Sequence, residues 1–278
     1  MIVPSYHSFV DQANWGEILK ARKHGASWLE LRTTHGLSAL GRAVVDNNAV
    51  MVKELLSLGA PPGMNRLTQG ERFSPLWASL ERNQTDILAL LLEAGASPNE
   101  AHPHDDDLSP LQYASRMLQG EQVVLLCKAG AEPNGQALAP DQYELFDVVE
   151  QPHLKESHGL TTTPYIDLEA IHRLAELNPG DEDHHPPLYF WIKNLSHEFK
   201  DITPLMTLLQ YGADPTLPAL PWPSLWQYAE YIWKEQIGQD KNHPKAGDAM
   251  AALEQAVLER ETRGGAGLLR ESHKRTRL

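Results

Sequence analysis

The dipeptide Gly-Ala recurs at Gly25-Ala26, Gly59-Ala60, Gly95-Ala96, Gly130-Ala131 and Gly212-Ala213, and the first four copies stand 34, 36 and 35 residues apart. A second marker keeps step with it. Ser38-Ala39-Leu40, Ser74-Pro75-Leu76 and Ser109-Pro110-Leu111 each place their Ser 21 residues ahead of the Gly. Two markers with one period and one phase describe a chain built from repeated supersecondary units, none of which can bury its apolar face alone.

Each unit has a physical reading. Ser74 or Ser109 can cap a helix N-terminus, and the Pro that follows takes the first helical position, where its missing N–H costs nothing. Leu76, Ala78 and Leu80, or Leu111, Ala114 and Met117, then supply a short helix. A polar break follows at Asn47-Asn48, Asn83-Gln84 and Gln119-Gly120. A second apolar helix comes next, through Val52-Leu55-Leu56, Ile87-Leu88-Leu91-Leu92 and Val123-Val124-Leu125-Leu126. Gly59, Gly95 and Gly130 end it in the left-handed conformation that a C-cap needs. Helices this short are marginal in isolation, so the pairs must stack to persist.

These units resemble ankyrin repeats, whose pattern runs Gly-x-Thr-Pro-Leu-His-x-Ala-Ala and then a helix ending Leu-Leu-x-x-Gly-Ala-x-x-Asn. SPLWASL…ILALLLEAGASPN (74–99) and SPLQYAS…VVLLCKAGAEPN (109–134) match most closely. LSALGRAV…MVKELLSLGAPP (37–62) departs at Pro and His, with Ala39 and Gly41 in their places. None of the three carries the family's His, so the hydrogen bond that His makes to the loop must be replaced or absent. Trp77 stands in its place and is expected to pack at a helix start.

The pattern weakens outside this core. SFVDQANWGEILKARKHGA (8–26) reads as a worn first unit, and PPLYFWI (186–192) with LMTLLQYGADPT (205–216) as a clear unit with a longer inter-helix connection. Residues 141–149 and 166–181 read as a degenerate unit, and 222–233 with 246–261 as a terminal cap. The resemblance implies an all-α ankyrin-repeat solenoid of about seven units, a single array over 1–262, and a basic flexible tail over 263–278.

Composition limits what such an array can hold. The net charge of -13 repels phosphate backbones and anionic lipid heads, so neither nucleic acid nor membrane is an expected partner. Eleven acids face only Lys155 and Arg173 between Asp141 and His185, whereas the last twenty residues carry six basic residues against three acids. The single cysteine, Cys127, excludes an internal disulfide framework and fits a reducing compartment. The first residues lack a basic and then apolar leader pattern, so the expected location is cytoplasmic.

The resemblance also implies where a partner protein sits, since ankyrin arrays bind through projecting loops and the inner-helix face. By position, these are Glu71 and Phe73 on one loop with Glu81 and Arg82 on the inner helix. Asp105, Asp106 and Leu108 are on the next loop, with Arg116 and Met117 on its helix. Phe73 and Leu108 either anchor a partner or tuck under their own loops. The acidic runs Asp105–Asp107 and Asp181-Glu182-Asp183 suit a basic partner, which such a field would steer. Stand-alone, divergent, acidic arrays are similar to bacterial ankyrin proteins that neutralise a toxin, including immunity proteins of secretion systems. The competing roles are an adaptor, with the basic tail as a second attachment, and an enzyme hidden in 135–200.

Catalytic motifs are missing. There is no phosphate-cradling Gly-Lys-Ser/Thr loop, no G-x-G-x-x-G, no G-x-S-x-G elbow, no kinase signature, and His197-Glu198 lacks the second His of a zinc-protease helix. His102 and His104 before Asp105–Asp107, like His184 and His185 after Asp183, are adjacent on loops and read as solvated, not as metal ligands. Cys127 falls among the apolar residues of an outer helix and reads as a small buried hydrophobe. No cofactor is expected.

Overall fold

A computed structural model describes residues 6–28, 31–68, 70–104, 108–134, 185–194, 201–217, 222, 224–233 and 246–275, with backbone alone at 246, 261 and 263–275. The chain forms two compact units, 1–132 and 133–278, where the sequence suggested one array to 262. The expected degenerate unit at 141–181 lies outside the described residues.

In the first unit, helices come in antiparallel pairs: α1 (Tyr6–Asp11) with α2 (Trp15–Lys23), and α3 (Ala39–Val45) with α4 (Ala49–Ser57). They are followed by α5 (Pro75–Glu81) with α6 (Thr85–Glu93), and α7 (Pro110–Arg116) with α8 (Gly120–Lys128). The inner helices α3, α5 and α7 pack in succession, as do the outer helices α4, α6 and α8. A two-stranded antiparallel hairpin, β1 (Asn65–Arg66) and β2 (Arg72–Phe73), projects between α4 and α5.

The caps follow the residues that predict them. Ser38, Ser74 and Ser109 accept the amides of Gly41, Trp77 and Gln112, with Pro75 and Pro110 just inside their helices. Gly95 takes a φ of 90°, and the amide of the Ala after it reaches back five residues to Leu91, 2.9 Å away. The same bond joins Ala60 to Leu55 and Ala131 to Leu126, so the Gly-Ala marker is the sequence trace of a Schellman ending. The Ala then turns inward: Ala60, Ala96 and Ala131 are buried.

The inner helices end in the same way without glycine. Asn48, Gln84 and Gln119 send their amides to Ala43, Ser79 and Ala114, and the residues before them, Asn47, Asn83 and Leu118, hold φ of 53°, 54° and 55°. Asn tolerates the left-handed region and Leu does not.

Side chains fasten one pair to the next. Gln84 Nε2 donates to the Val44 carbonyl at 3.1 Å and Gln119 Nε2 to the Leu80 carbonyl at 3.2 Å, each reaching the last turn of the preceding inner helix. Asn99 donates to the Gly130 carbonyl at 3.2 Å and accepts the Glu132 amide at 2.8 Å. Fully buried Leu40, Leu55, Leu76, Leu80, Leu88, Leu91, Leu111 and Leu126 fill the space between. Each such side chain contributes about 1.5–3 kcal/mol.

The second unit repeats these devices. α9 (Pro187–Lys193) pairs with α10 (Thr203–Gln210), and α11 (Leu225–Ile232) with α12 (Ala246–Arg275). Asn134 grips the Gly212 carbonyl and the Asp214 amide, as Asn99 grips 130 and 132. Arg260 of α12 also holds this loop, 3.3 Å from the Gly212 carbonyl and 2.6 Å from the Asp214 carboxylate. The sequence suggests a flexible tail from 263, whereas α12 runs on as helix to Arg275. The glycines at 264, 265 and 267 lower helix propensity without breaking the backbone path.

Leu118→Asn should therefore stabilise the first unit by about 0.5–1 kcal/mol, since it removes the left-handed strain that Asn47 and Asn83 avoid. Urea unfolding of the two proteins side by side measures the difference, and an unchanged or lower midpoint would show that Leu118 is not strained.

Candidate protein-binding surface

The ends of the inner helices and the loops that lead into them carry exposed charged and apolar side chains. Glu81 and Arg82 close α5, both with side chains 43% exposed, and Arg116 and Met117 hold the equivalent positions after α7. Met117 is 55% exposed, so it is a surface residue and not the core residue its spacing suggests. The matching pair in the preceding unit is Val45, also exposed, and Asp46, which binds Arg42 Nε through both carboxylate oxygens at 2.9 and 3.0 Å. These positions form a ladder one repeat apart.

The loops stand beside that ladder. Glu71 is exposed at the mouth of the β-hairpin. Phe73 is half-buried, and its ring lies so close over Gly41 that a Cβ there would sit 2.9 Å from Cε1. The ring therefore covers the gap left by the missing side chain at 41. Leu108 is likewise half-buried. Of the two readings for these residues, the local contact of Phe73 is the one the packing displays. Successive loops are also tied together: Thr68 donates its amide to the His35 carbonyl at 3.0 Å, and Arg72 Nε to the Pro103 carbonyl at 3.0 Å. Asp105, Asp106, Asp181, Glu182 and Asp183 lie outside the described residues.

An aromatic cluster that the sequence reading did not assemble sits where the fourth loop meets α5 and α7. Trp77 is buried, and its indole Nε1 donates to the Glu100 carbonyl at 2.9 Å. Here is the replacement for the loop bond that the absent His would make. The ring of His102 stands edge-on to Trp77, with centroids 4.6 Å apart, and Tyr113 does so from the next repeat at 5.6 Å. His102 Nε2 lies 3.4 Å from Glu81 Oε1. Burial raises the Tyr113 pKa, Glu81 raises it further, and Arg116 pulls it back. The only sequence signal was the repeat offset, which sets Tyr113 at the place held by Ala78 one unit earlier.

Among the described residues, no group of three His, Cys, Asp or Glu could hold a metal ion, and no helix is long and apolar enough to cross a membrane. Cys127 is fully buried, and burial pushes its thiol up to about 11, far from a nucleophile's range. His185 is buried and stacked on Tyr189 at 3.9 Å, in a pile that continues to Tyr228 at 5.2 Å. That is the surroundings of a packing residue.

Residues 40–137 match the ankyrin-repeat family profile in three copies. Residues 40–137 are ankyrin repeats. Across 90% of its length the chain shares the fold of an ankyrin repeat domain from Acinetobacter baumannii AYE, at 16% identity, 96% coverage of that chain and a TM-score of 0.53. The ankyrin-repeat domain of Bcl-3, of the IκB family, is also similar, at 18% identity, with 81% of this chain and 78% of that one covered and a TM-score of 0.45. No curated protein matches the chain by sequence. Within the ankyrin pattern, Trp77 marks the His position and Ser74 the Thr position.

One acidic group is set against its own charge. Burial raises the pKa of Glu100, and the Ser74 hydroxyl offsets this only in part. The folded protein thus holds the Glu100 proton more firmly than the unfolded chain, and ionisation costs stability once the pH rises above the raised value. Glu100→Gln should stabilise the protein at about pH 7.5, and the gain should vanish near pH 3.5, below the ordinary carboxylate range. Equal gains at both pH values would remove burial of the charge as the cause.

Proposed function

We propose that this chain is a non-catalytic scaffold that grips a basic partner protein through the inner-helix ladder and its loops, and so neutralises a cytoplasmic toxin. Ankyrin repeats are protein-binding modules, and the observation that carries the reading is the ladder itself. Glu81, Arg82, Arg116 and Met117 stand one repeat apart at helix ends, flanked by Glu71. Phe73 and Leu108 line the loops beside them. The net charge of -13 and the acids Asp105, Asp106, Asp181, Glu182 and Asp183 favour a basic partner.

An affinity pull-down from the native host, read by mass spectrometry, identifies the partner. The association rate should fall by roughly tenfold or more between about 0.05 M and about 0.5 M salt, as steering by opposite charges requires. A rate indifferent to ionic strength removes the steering, and failure to protect cells from the captured protein removes neutralisation. Met117→Ala should leave the unfolding midpoint within about 0.5 kcal/mol of wild type while weakening the complex by about tenfold or more.

The adaptor reading has one observation in its favour: α12 continues to Arg275, well past the Arg260 clamp that fastens it. Deleting 263–278 separates the two roles. An adaptor loses one partner and keeps another, whereas an antagonist is unaffected. Of the histidines in 135–200, His185 is buried against Tyr189 and is placed for packing.

A further inference from the structure

The imidazole of His102 is held by two bonds that fix its tautomer. The backbone amide of His104 lies 3.3 Å from Nδ1, and an N–H can only donate, so Nδ1 must be the bare, accepting nitrogen. Nε2 then carries the hydrogen and points it at Glu81 Oε1, 3.4 Å away. A wall on the third side is rigid: Trp77 is buried, bonded through Nε1 to the Glu100 carbonyl, and stands edge-on to the imidazole at 85°. The side chain of His102 is 17% exposed, so solvent protons reach it.

We propose that His102 is a proton-operated latch: neutral, it pins the turn at 102–104 by accepting the His104 amide at Nδ1, and on taking a proton there it releases that amide, keeps its contact with Glu81, and places a positive charge beside the inner-helix ladder. The step needs only a proton from water. It adds to the Nδ1 lone pair, and the new N–H meets the His104 N–H head-on, so one donor must turn away. The bond to Glu81 survives as an ion pair, which cancels the carboxylate that faces a partner. Imidazoles make this change within the physiological pH range.

The charged and titratable groups around the ring come from each neighbouring element: Glu81 and Arg82 from α5, Tyr113 and Arg116 from α7, Glu100 and His104 from the same loop, and Arg72 from β2, bonded to Pro103. The ring of His104 lies 5.8 Å from that of His102. A basic partner is held less firmly as the pH falls. This consequence rests on reading the ladder as the partner surface, but the latch itself can be tested on the free protein, so its failure would leave that reading standing.

Long-range proton–nitrogen NMR of the imidazoles in the intact chain should find His102 as the Nε2–H tautomer at neutral pH. On acidification, exchange of the His104 amide, taken relative to its intrinsic rate at each pH, should quicken by about tenfold in step with protonation of the ring. His102→Gln should abolish that step. His104→Asn, which keeps the backbone N–H, should preserve it, and Glu81→Gln should move it to lower pH, since the imidazolium loses its counter-ion. An Nδ1–H tautomer at neutral pH, or a step that persists in His102→Gln, overturns the latch. If His102→Gln fails to fold, the tautomer and the Glu81→Gln shift decide the matter alone.

Discussion

Burial of the apolar stripe between neighbouring helix pairs is the interaction on which everything else in this chain depends. The helices of the first unit are six to nine residues long, below the length at which a helix holds in water. The pairs from α3 to α8 are helical because Leu55, Leu91 or Leu126 on the outer row and Leu40, Leu76 or Leu111 on the inner row are buried. The backbone that such short helices leave unpaired is nearly as extensive as the backbone they satisfy. Caps are therefore not ornaments on long elements here but a large share of the hydrogen bonding. That is why the Ser before and the Gly-Ala after a helix persist where the residues between them drift.

Two kinds of side-chain bond convert stacking into a fixed step. Gln84 and Gln119 reach back to the inner helix before them, and Asn99 reaches forward to the loop after it. Apolar contact alone would let neighbouring pairs slide, since it is non-directional. An amide aimed at one carbonyl does not slide. In the second unit Asn134 and Arg260 both bind the 212–214 loop, Arg260 reaching it from α12.

The fold was legible because its signals are local and repeated. Ser74, Pro75 and Gly95 each announce a backbone condition that few other residues meet, and the period multiplies a weak cue into a strong one. Where the period lapses, so does the reading: Met117 fits the apolar spacing of α7, yet it lies past the turn of helix that faces the core. The replacement for the missing His was legible only as a vacancy. That Trp77 would fill it by bonding to Glu100, 23 residues on, depends on how the next loop folds back, and no local pattern encodes that return. The His102 cluster was hidden for the same reason, since its members come from α5, α7 and the loop between.

The division of labour within a repeat explains why a surface can diverge over a constant frame. Counting from the capping Ser, the residue three on donates its amide to the cap, and the residues two and six on are buried in α5 as Leu76 and Leu80. Those positions are committed. The seventh and eighth, Glu81 and Arg82 or Arg116 and Met117, lie exposed at the helix end, where Arg82 bonds only the Ala78 carbonyl of its own helix and its neighbour Glu81. A single array can thus carry an ion pair at Asp46, a carboxylate at Glu81 and a thioether at Met117 on one ladder without altering the step between rungs. Specificity written at these exposed ends costs the fold less than specificity written at Trp77, because that side chain fills a buried site and bridges two repeats. His102 stands where the two regimes meet: its ring leans on the core through Trp77 and faces the ladder through Glu81, so a change of charge at one atom can reach the binding face without first undoing the stack.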